Sequence, residues 1–319
     1  MKILICGYIG GGNCGDEAIC DRLVAYLKKA GDRVTLLSLA PDESTALHNT
    51  PALSRTSPAL IGAIRGSDLV ILGGGTLLQE QTSKQSPLYY LAIGGLATML
   101  GTPWVLMGGI DPLKGANRWL AEKILPTARA GLLRSDGDLR RLASLTPTLP
   151  RFYLPDCALL PLSDHPSPAK PPYRYVVICP KQGVPQSALH SPVDRARKRG
   201  SRLVWLAMSR KDEQLCANCA HTFGGVWVAA MPTHYRHPRQ VNASAILPNL
   251  YESCAHRYFA ARPCEIACRL IEGAEQVYSA RLHGLIFAKK AGTPAQILPD
   301  GTKQWKLLGL CPNPPKGSF

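Results

Sequence analysis

Residues 2–39 read KILICGYIGGGNCGDEAICDRLVAYLKKAGDRVTLLSL. The stretch opens on a short apolar run, 2–7, that ends in glycine, as a strand buried on both faces does. From 16 to 30 the apolar residues Ile19, Leu23, Val24 and Leu27 recur at helical spacing, and Gly31 stands just past the end as a stop. A second apolar run follows at 33–39. Strand, glycine turn, helix and strand within 40 residues form a βαβ unit, so the sheet is parallel and the fold is α/β.

The same alternation runs outward. Helices are predicted at 57–65, 88–100, 116–125 and 138–145, with strands at 68–72, 104–107 and 130–134, and 152–154 leads into Pro155-Asp156. At 161–172 the composition changes to PLSDHPSPAKPP, with five prolines in twelve residues. Proline stiffens an extended chain and removes donors, so 161–173 is a linker. Strands are then predicted at 174–179, 202–207, 226–230, 276–279 and 295–298, and helices at 188–199, 266–272 and 282–291. The stretch 231–262 has no clear period, and 311–319 is a loose tail. The chain of 319 residues therefore divides into an α/β domain at 1–160 and a second, built on the same plan, at 174–310.

With 45% apolar residues the chain can build a sizeable core, which excludes a disordered protein. The net charge is +15, from 37 basic and 22 acidic residues. Residues 1–160 carry 16 basic and 13 acidic residues, and 161–319 carry 21 and 9, so the excess belongs to the C-terminal half. It calls for an anionic partner: a phosphorylated small molecule, a membrane surface or nucleic acid. Eleven cysteines are an odd number at irregular spacing. Cys6, Cys20, Cys157 and Cys179 lie in apolar runs and read as small hydrophobes. The pair Cys216-Ala-Asn-Cys219 lacks a well-spaced second pair of ligands, so no metal is expected. No signal peptide and no membrane span are legible, and a reduced, cytoplasmic protein is expected.

Three places could carry chemistry. Gly10-Gly11-Gly12-Asn13-Cys14-Gly15-Asp16-Glu17 joins the first strand to the first helix. Glycines bring backbone N–H groups close to a ligand, and the helix N-terminus favours an anion. The segment also fits a dinucleotide fingerprint, but the acidic residue expected at the end of the second strand is missing. A structural turn with Asp16 as a helix cap is the third reading. The second place is Gly73-Gly74-Gly75-Thr76 after a strand, followed by Thr82, Ser83, Lys84, Ser86 and the pair Tyr89-Tyr90, which serves a ligand or the core. Arg134 ends a later strand, where it either clamps a carboxylate or phosphate or pairs with Asp136 or Asp156. The third is Ser279-Ala280-Arg281-Leu282-His283-Gly284, where a strand meets an apolar helix. An arginine and a histidine there suit an anion and a general acid or base. The basic runs Arg195–Arg199 and His234-Tyr235-Arg236-His237 carry no recognition motif, so they read as solvated faces and nucleic acid is not expected.

These motifs, in this order and spacing, resemble the polysaccharide pyruvyl transferases of CsaB type. The likeness rests on Gly11-Gly12-Asn13-x-Gly15-Asp16-Glu17, on Gly73–Glu80 with Thr82, Ser83, Ser86, Tyr89 and Tyr90, on the Leu132–Asp136 stretch, and on Ser279-x-Arg281-Leu282-His283-Gly284-Leu285-Ile286-Phe287-Ala288. It departs at Met107-Gly108-Gly109-Ile110-Asp111-Pro112, where the family usually has Gly-Gln-Gly-Ile-Gly-Pro, and at Leu298-Pro299-Asp300-Gly301.

The resemblance implies two Rossmann-like domains facing a cleft, as in GT-B glycosyltransferases, with mostly parallel sheets. It implies transfer of an enolpyruvyl unit from phosphoenolpyruvate to two hydroxyls of one sugar, giving a pyruvate ketal and phosphate. The acceptor would be a cell-wall polysaccharide precursor on a lipid carrier, met at an anionic membrane surface. No cofactor beyond the donor substrate is implied. His283 matches the family's catalytic histidine. Asp16 would position or deprotonate an acceptor hydroxyl, and Gly12, Asn13, Gly15, Gly74, Gly75, Thr76, Arg134 and Arg281 would bind substrate. A nucleotide-sugar glycosyltransferase of the same fold and a non-catalytic binding member are the alternative readings.

Overall fold

A computed structural model describes residues 1–80, 83–160, 173–231 and 265–299. The proline-rich 161–172, Thr82, the His234-Tyr235-Arg236-His237 run within 232–264, Asp300-Gly301 and the 311–319 tail lie outside the described residues. The chain forms two compact units. One comprises Met1–Gly11 and Asp16–Leu160, the other Gly12–Gly15 and Pro161–Phe319.

In the first unit, eight strands form one sheet. They are β1 (Lys2–Cys6), β2 (Arg33–Ser38), β3 (Ala52–Ser54), β4 (Leu69–Leu72), β5 (Thr76–Leu78), β6 (Trp104–Ile110), β7 (Ala130–Leu133) and β8 (Arg151–Tyr153). Their order is β3-β2-β1-β4-β6-β7-β8, with β5 on β6, and every pairing is parallel. Ile5 lies in register between Leu36 and Ile71. The helices are α1 (Cys14–Lys29), α2 (Pro41–His48), α3 (Leu60–Arg65), α4 (Gln85–Met99), α5 (Gly115–Ile124) and α6 (Asp136–Leu145). Trp104, Tyr90, Leu72, Leu106 and Leu133 belong to the core under the sheet. The strand order reverses between β1 and β4, and the loops that leave these strands at their carboxyl ends are the two glycine turns. Open α/β sheets bind ligands at such a switch point.

The second unit repeats the plan with β9 (Tyr175–Cys179), β10 (Arg202–Ala207), β11 (Val226–Ala229), β12 (Gln276–Ser279) and β13 (Ala295–Ile297). Their order is β11-β10-β9-β12-β13, again all parallel. Its switch point lies between β9 and β12. The helices described are α7 (Ser187–Lys198), α8 (Glu213–Phe223), α9 (Glu265–Glu272) and α10 (Leu282–Ala291). Cys216 and Cys219 sit on α8, buried with Trp205 and Phe223 in the core. They pack as small hydrophobes, and α8 itself is an element that the sequence pattern does not predict. Among the described residues no group of three or more His, Cys, Asp or Glu could hold a metal ion, and no helix is long and apolar enough to cross a membrane.

Candidate active site

In the first unit the rim at the switch point is built by close packing of backbone. Gly73 N–H donates to the Cys6 carbonyl at 2.9 Å, extending the β1–β4 pairing to the start of the second glycine turn. The Asp16 carboxylate stands against Gly75, where a Cβ would come within 2.3 Å of Oδ1. Gly108 lies in the Met107–Pro112 stretch on and after β6. It has φ +116°, and a Cβ there would lie 2.4 Å from the Gly75 carbonyl oxygen. Sterics therefore hold the position as glycine in this chain.

Arg134, just past β7, is buried and already engaged. Nη1 donates to Asp156 Oδ2 at 2.6 Å and Nη2 to Thr76 Oγ1 at 2.7 Å. Of the partners read from the sequence, Asp156 takes the ion pair, while Asp136 opens α6. Asp138, not Asp136, meets the backbone here: it accepts from Ile110 N–H at 3.0 Å. Tyr90 is buried in the core, yet its hydroxyl reaches the Arg55 guanidinium at 3.4 Å.

Glu17 is buried directly behind the first glycine turn. One carboxylate oxygen accepts from Gly10 N–H at 2.9 Å, and the other lies 3.0 Å from His48 Nε2. His48 Nδ1 is 4.0 Å from Asp21 Oδ1. Burial opposes a charge on His48, but its interactions with Cys20, Asp21 and Glu17 prevail and hold its pKa well above the ordinary histidine value. His48 ends α2, a mostly polar element, so nothing in its local sequence points to it.

In the second unit the Gly12–Gly15 stretch packs by backbone bonds. Cys14 N–H donates to the Met208 carbonyl at 2.9 Å and Arg210 N–H to the Gly12 carbonyl at 3.0 Å. Asn13 Oδ1 accepts from Gly15 N–H at 3.0 Å, so Asn13, rather than Asp16, plays the helix-cap part at the head of α1. The His283 ring lies against Gly15, where a Cβ would fall 1.9 Å from Nδ1. His283 occupies the first turn of α10, and Arg281 precedes it at the N-cap. Arg281 is held by Asp212, with Nε to Oδ2 at 2.9 Å and Nη2 to Oδ1 at 2.5 Å. Asp212 is 0% exposed, and burial pushes its pKa up against the opposing pull of Arg281. The pair leaves the Nη1 edge of Arg281 outside it. Nothing in the sequence singles out Asp212, because its partner is 69 residues away.

Of the expected residues, Asp16, Gly74, Gly75, Thr76 and Arg134 gather at the rim of the first sheet. Gly12, Asn13, Gly15, Arg281 and His283 belong to the second unit. The fold resembles several solved structures. These include the S. aureus MnaA–UDP co-structure (10% identity, TM-score 0.57, covering 93% of this chain and 79% of that one). The UDP-GlcNAc 2-epimerase from Methanocaldococcus jannaschii matches at 10% identity and TM-score 0.53, over 100% and 95% of the chains. The spinosyn rhamnosyltransferase SpnG matches at 15% and 0.50, over 97% and 84%. The class is thus an α/β protein with mostly parallel sheets, whose structural neighbours are GT-B glycosyltransferases and epimerases. The family model for polysaccharide pyruvyl transferase matches residues 13–296, and the chain belongs to that family. A search of curated proteins found no match.

Proposed function

We propose that this chain is a CsaB-type pyruvyl transferase that uses phosphoenolpyruvate to build a cyclic pyruvate ketal on a cell-wall polysaccharide precursor. The observation that carries the reading is the Arg281–His283 pair at the head of α10, inside the span matched by the family model. A cation and a titratable ring at a strand-to-helix turn suit a substrate that carries both a phosphate and a carboxylate.

The chemistry balances without a cofactor. A proton goes to the methylene carbon of phosphoenolpyruvate, which makes C2 electrophilic. One sugar hydroxyl adds there, phosphate leaves, and the second hydroxyl closes the ring. Of the two hydroxyl protons, one replaces the proton given to carbon and the other leaves with phosphate. His283 serves as the acid and base, and Asp16 positions or deprotonates an acceptor hydroxyl. Arg281, through the edge that Asp212 leaves open, meets a donor oxyanion. Arg134, paired with Asp156, supports the Thr76 side of the rim. Gly12, Asn13, Gly15, Gly74 and Gly75 let backbone approach the substrates.

The acceptor in this reading is a lipid-linked saccharide, and the protein works in the cytoplasm at the inner membrane face, where the basic C-terminal half meets anionic lipid. The test is phosphate release from phosphoenolpyruvate with a panel of lipid-linked and aryl-tagged aminosugars. Release that requires one of them supports the reading. Release with none of them, or equal release without any acceptor, overturns it.

A further inference from the structure

Arg55 stands immediately after β3, at the carboxyl edge of the first sheet, and its N–H bonds back to the Ser38 carbonyl at 3.2 Å. Its guanidinium lies over two rings, 5.1 Å from the Tyr89 centroid and 5.7 Å from that of Tyr90. Nη2 donates to the Gly7 carbonyl and to the Tyr90 hydroxyl. Arg55 is half-buried, and among the described residues its buried Nε has no hydrogen-bond partner. The arginines that follow β7 and β12 are each paired with a carboxylate, Asp156 for Arg134 and Asp212 for Arg281, although Arg281 keeps Nη1 outside its pair. Arg55 makes no ion pair with any carboxylate among the described residues. It meets a carbonyl, a hydroxyl and π-faces, which orient a guanidinium without cancelling its charge. Gly7, which it grips, leads into the first glycine turn beside the switch point.

We infer that Arg55 is an oxyanion-binding residue: it receives a phosphate or carboxylate group of a ligand at the rim of the first sheet, with Tyr89 and Tyr90 fixing the plane of its fork. In the proposed reaction that oxyanion belongs to either of two sources, the donor or a phosphate attached to the acceptor sugar. The inference deepens the proposed function at this point but requires only anion binding, not turnover.

The experiment is titration calorimetry of the full chain with three probes: phosphoenolpyruvate, a sugar 1-phosphate, and the same sugar without phosphate. Removing one charge-assisted hydrogen bond from such a site weakens binding about 10- to 150-fold. For Arg55→Gln the expected result is a decrease of this size for a charged probe and none for the neutral sugar. Arg55→Lys should recover part of it, because a point charge replaces the charge but not the fork. A decrease confined to phosphoenolpyruvate assigns the group to the donor, and one confined to the sugar phosphate assigns it to the acceptor. Unchanged affinity for both charged probes, or equal decreases for the charged and neutral sugars, overturns the inference. Should phosphoenolpyruvate not bind the wild type while the sugar phosphate binds through Arg55, the pyruvyl reading fails and this one stands.

Discussion

Asp212 holds Arg281 by two hydrogen bonds along one edge of its guanidinium, Nε and Nη2, with the carboxylate fully buried and the arginine partly exposed. The arrangement aims Arg281 and leaves Nη1 outside the pair. Arg281→Ala should weaken phosphoenolpyruvate binding about 10- to 150-fold, the range for one charge-assisted hydrogen bond. Asp212→Asn keeps the shape but loosens the aim, so it should weaken binding by less. Calorimetric titration measures both. Unchanged affinity in Arg281→Ala would place the donor's oxyanions elsewhere.

The Arg134–Asp156 pair is buried on both sides, and removing one partner strands the other charge. Arg134→Ala should therefore destabilise the first unit by about 3–5 kcal/mol. Urea unfolding followed by circular dichroism checks this. A change below about 1 kcal/mol would mean that the pair is solvated in solution.

His48 has its pKa raised by its buried neighbours, so its charged form stabilises the folded state. That contribution is fully present below the unfolded value of about 6.5 and is lost as pH rises through the folded pKa. The melting temperature should therefore fall with increasing pH above about 6.5. His48→Gln, which cannot carry the charge facing Glu17, Asp21 and Cys20, should flatten the slope. Parallel slopes in the two proteins would remove His48 as the cause.

Alternation of apolar runs with helical spacing makes both α/β units legible, because strands buried on both faces, such as Tyr175–Cys179, read as unbroken hydrophobic runs. Short or polar elements do not announce themselves. Helix α2 has only Ala46 and Leu47 to show a face, β5 is three residues after a glycine turn, and the Cys216–Cys219 spacing draws attention from the helical period of α8. The predicted 104–107 strand runs on to Ile110 through Gly108 and Gly109. Arg134, Arg281 and His283 are visible from their places at strand ends. Asp212, Arg55 and His48 are not, because each acts on residues 27 to 69 positions away.

The basic run at the end of α7 is exposed, though Arg195 bonds to Gln296 at 3.1 Å and Arg197 to the Phe223 carbonyl at 2.8 Å. Lys198 and Arg199 complete the face. If the acceptor is met at a membrane, each such cation adds about 1 kcal/mol of attraction to anionic lipid. Sedimentation with anionic vesicles should recover more protein than with neutral ones, less so at high salt, and Lys198→Glu with Arg199→Glu should reduce it. Equal recovery with both lipids would leave the charge to solvent.

In the proposed reaction His283 delivers a proton to the donor's methylene carbon on the way to a ketal. The most direct measurement of this step is proton NMR of the product formed from phosphoenolpyruvate and an accepting aminosugar in deuterated water. The expected result is a ketal methyl group carrying one solvent deuteron, growing in step with phosphate. In a folded His283→Ala variant that signal should fall by about 100- to 10,000-fold. A product that keeps its vinyl protons, or a near-native rate in the variant, would contradict it.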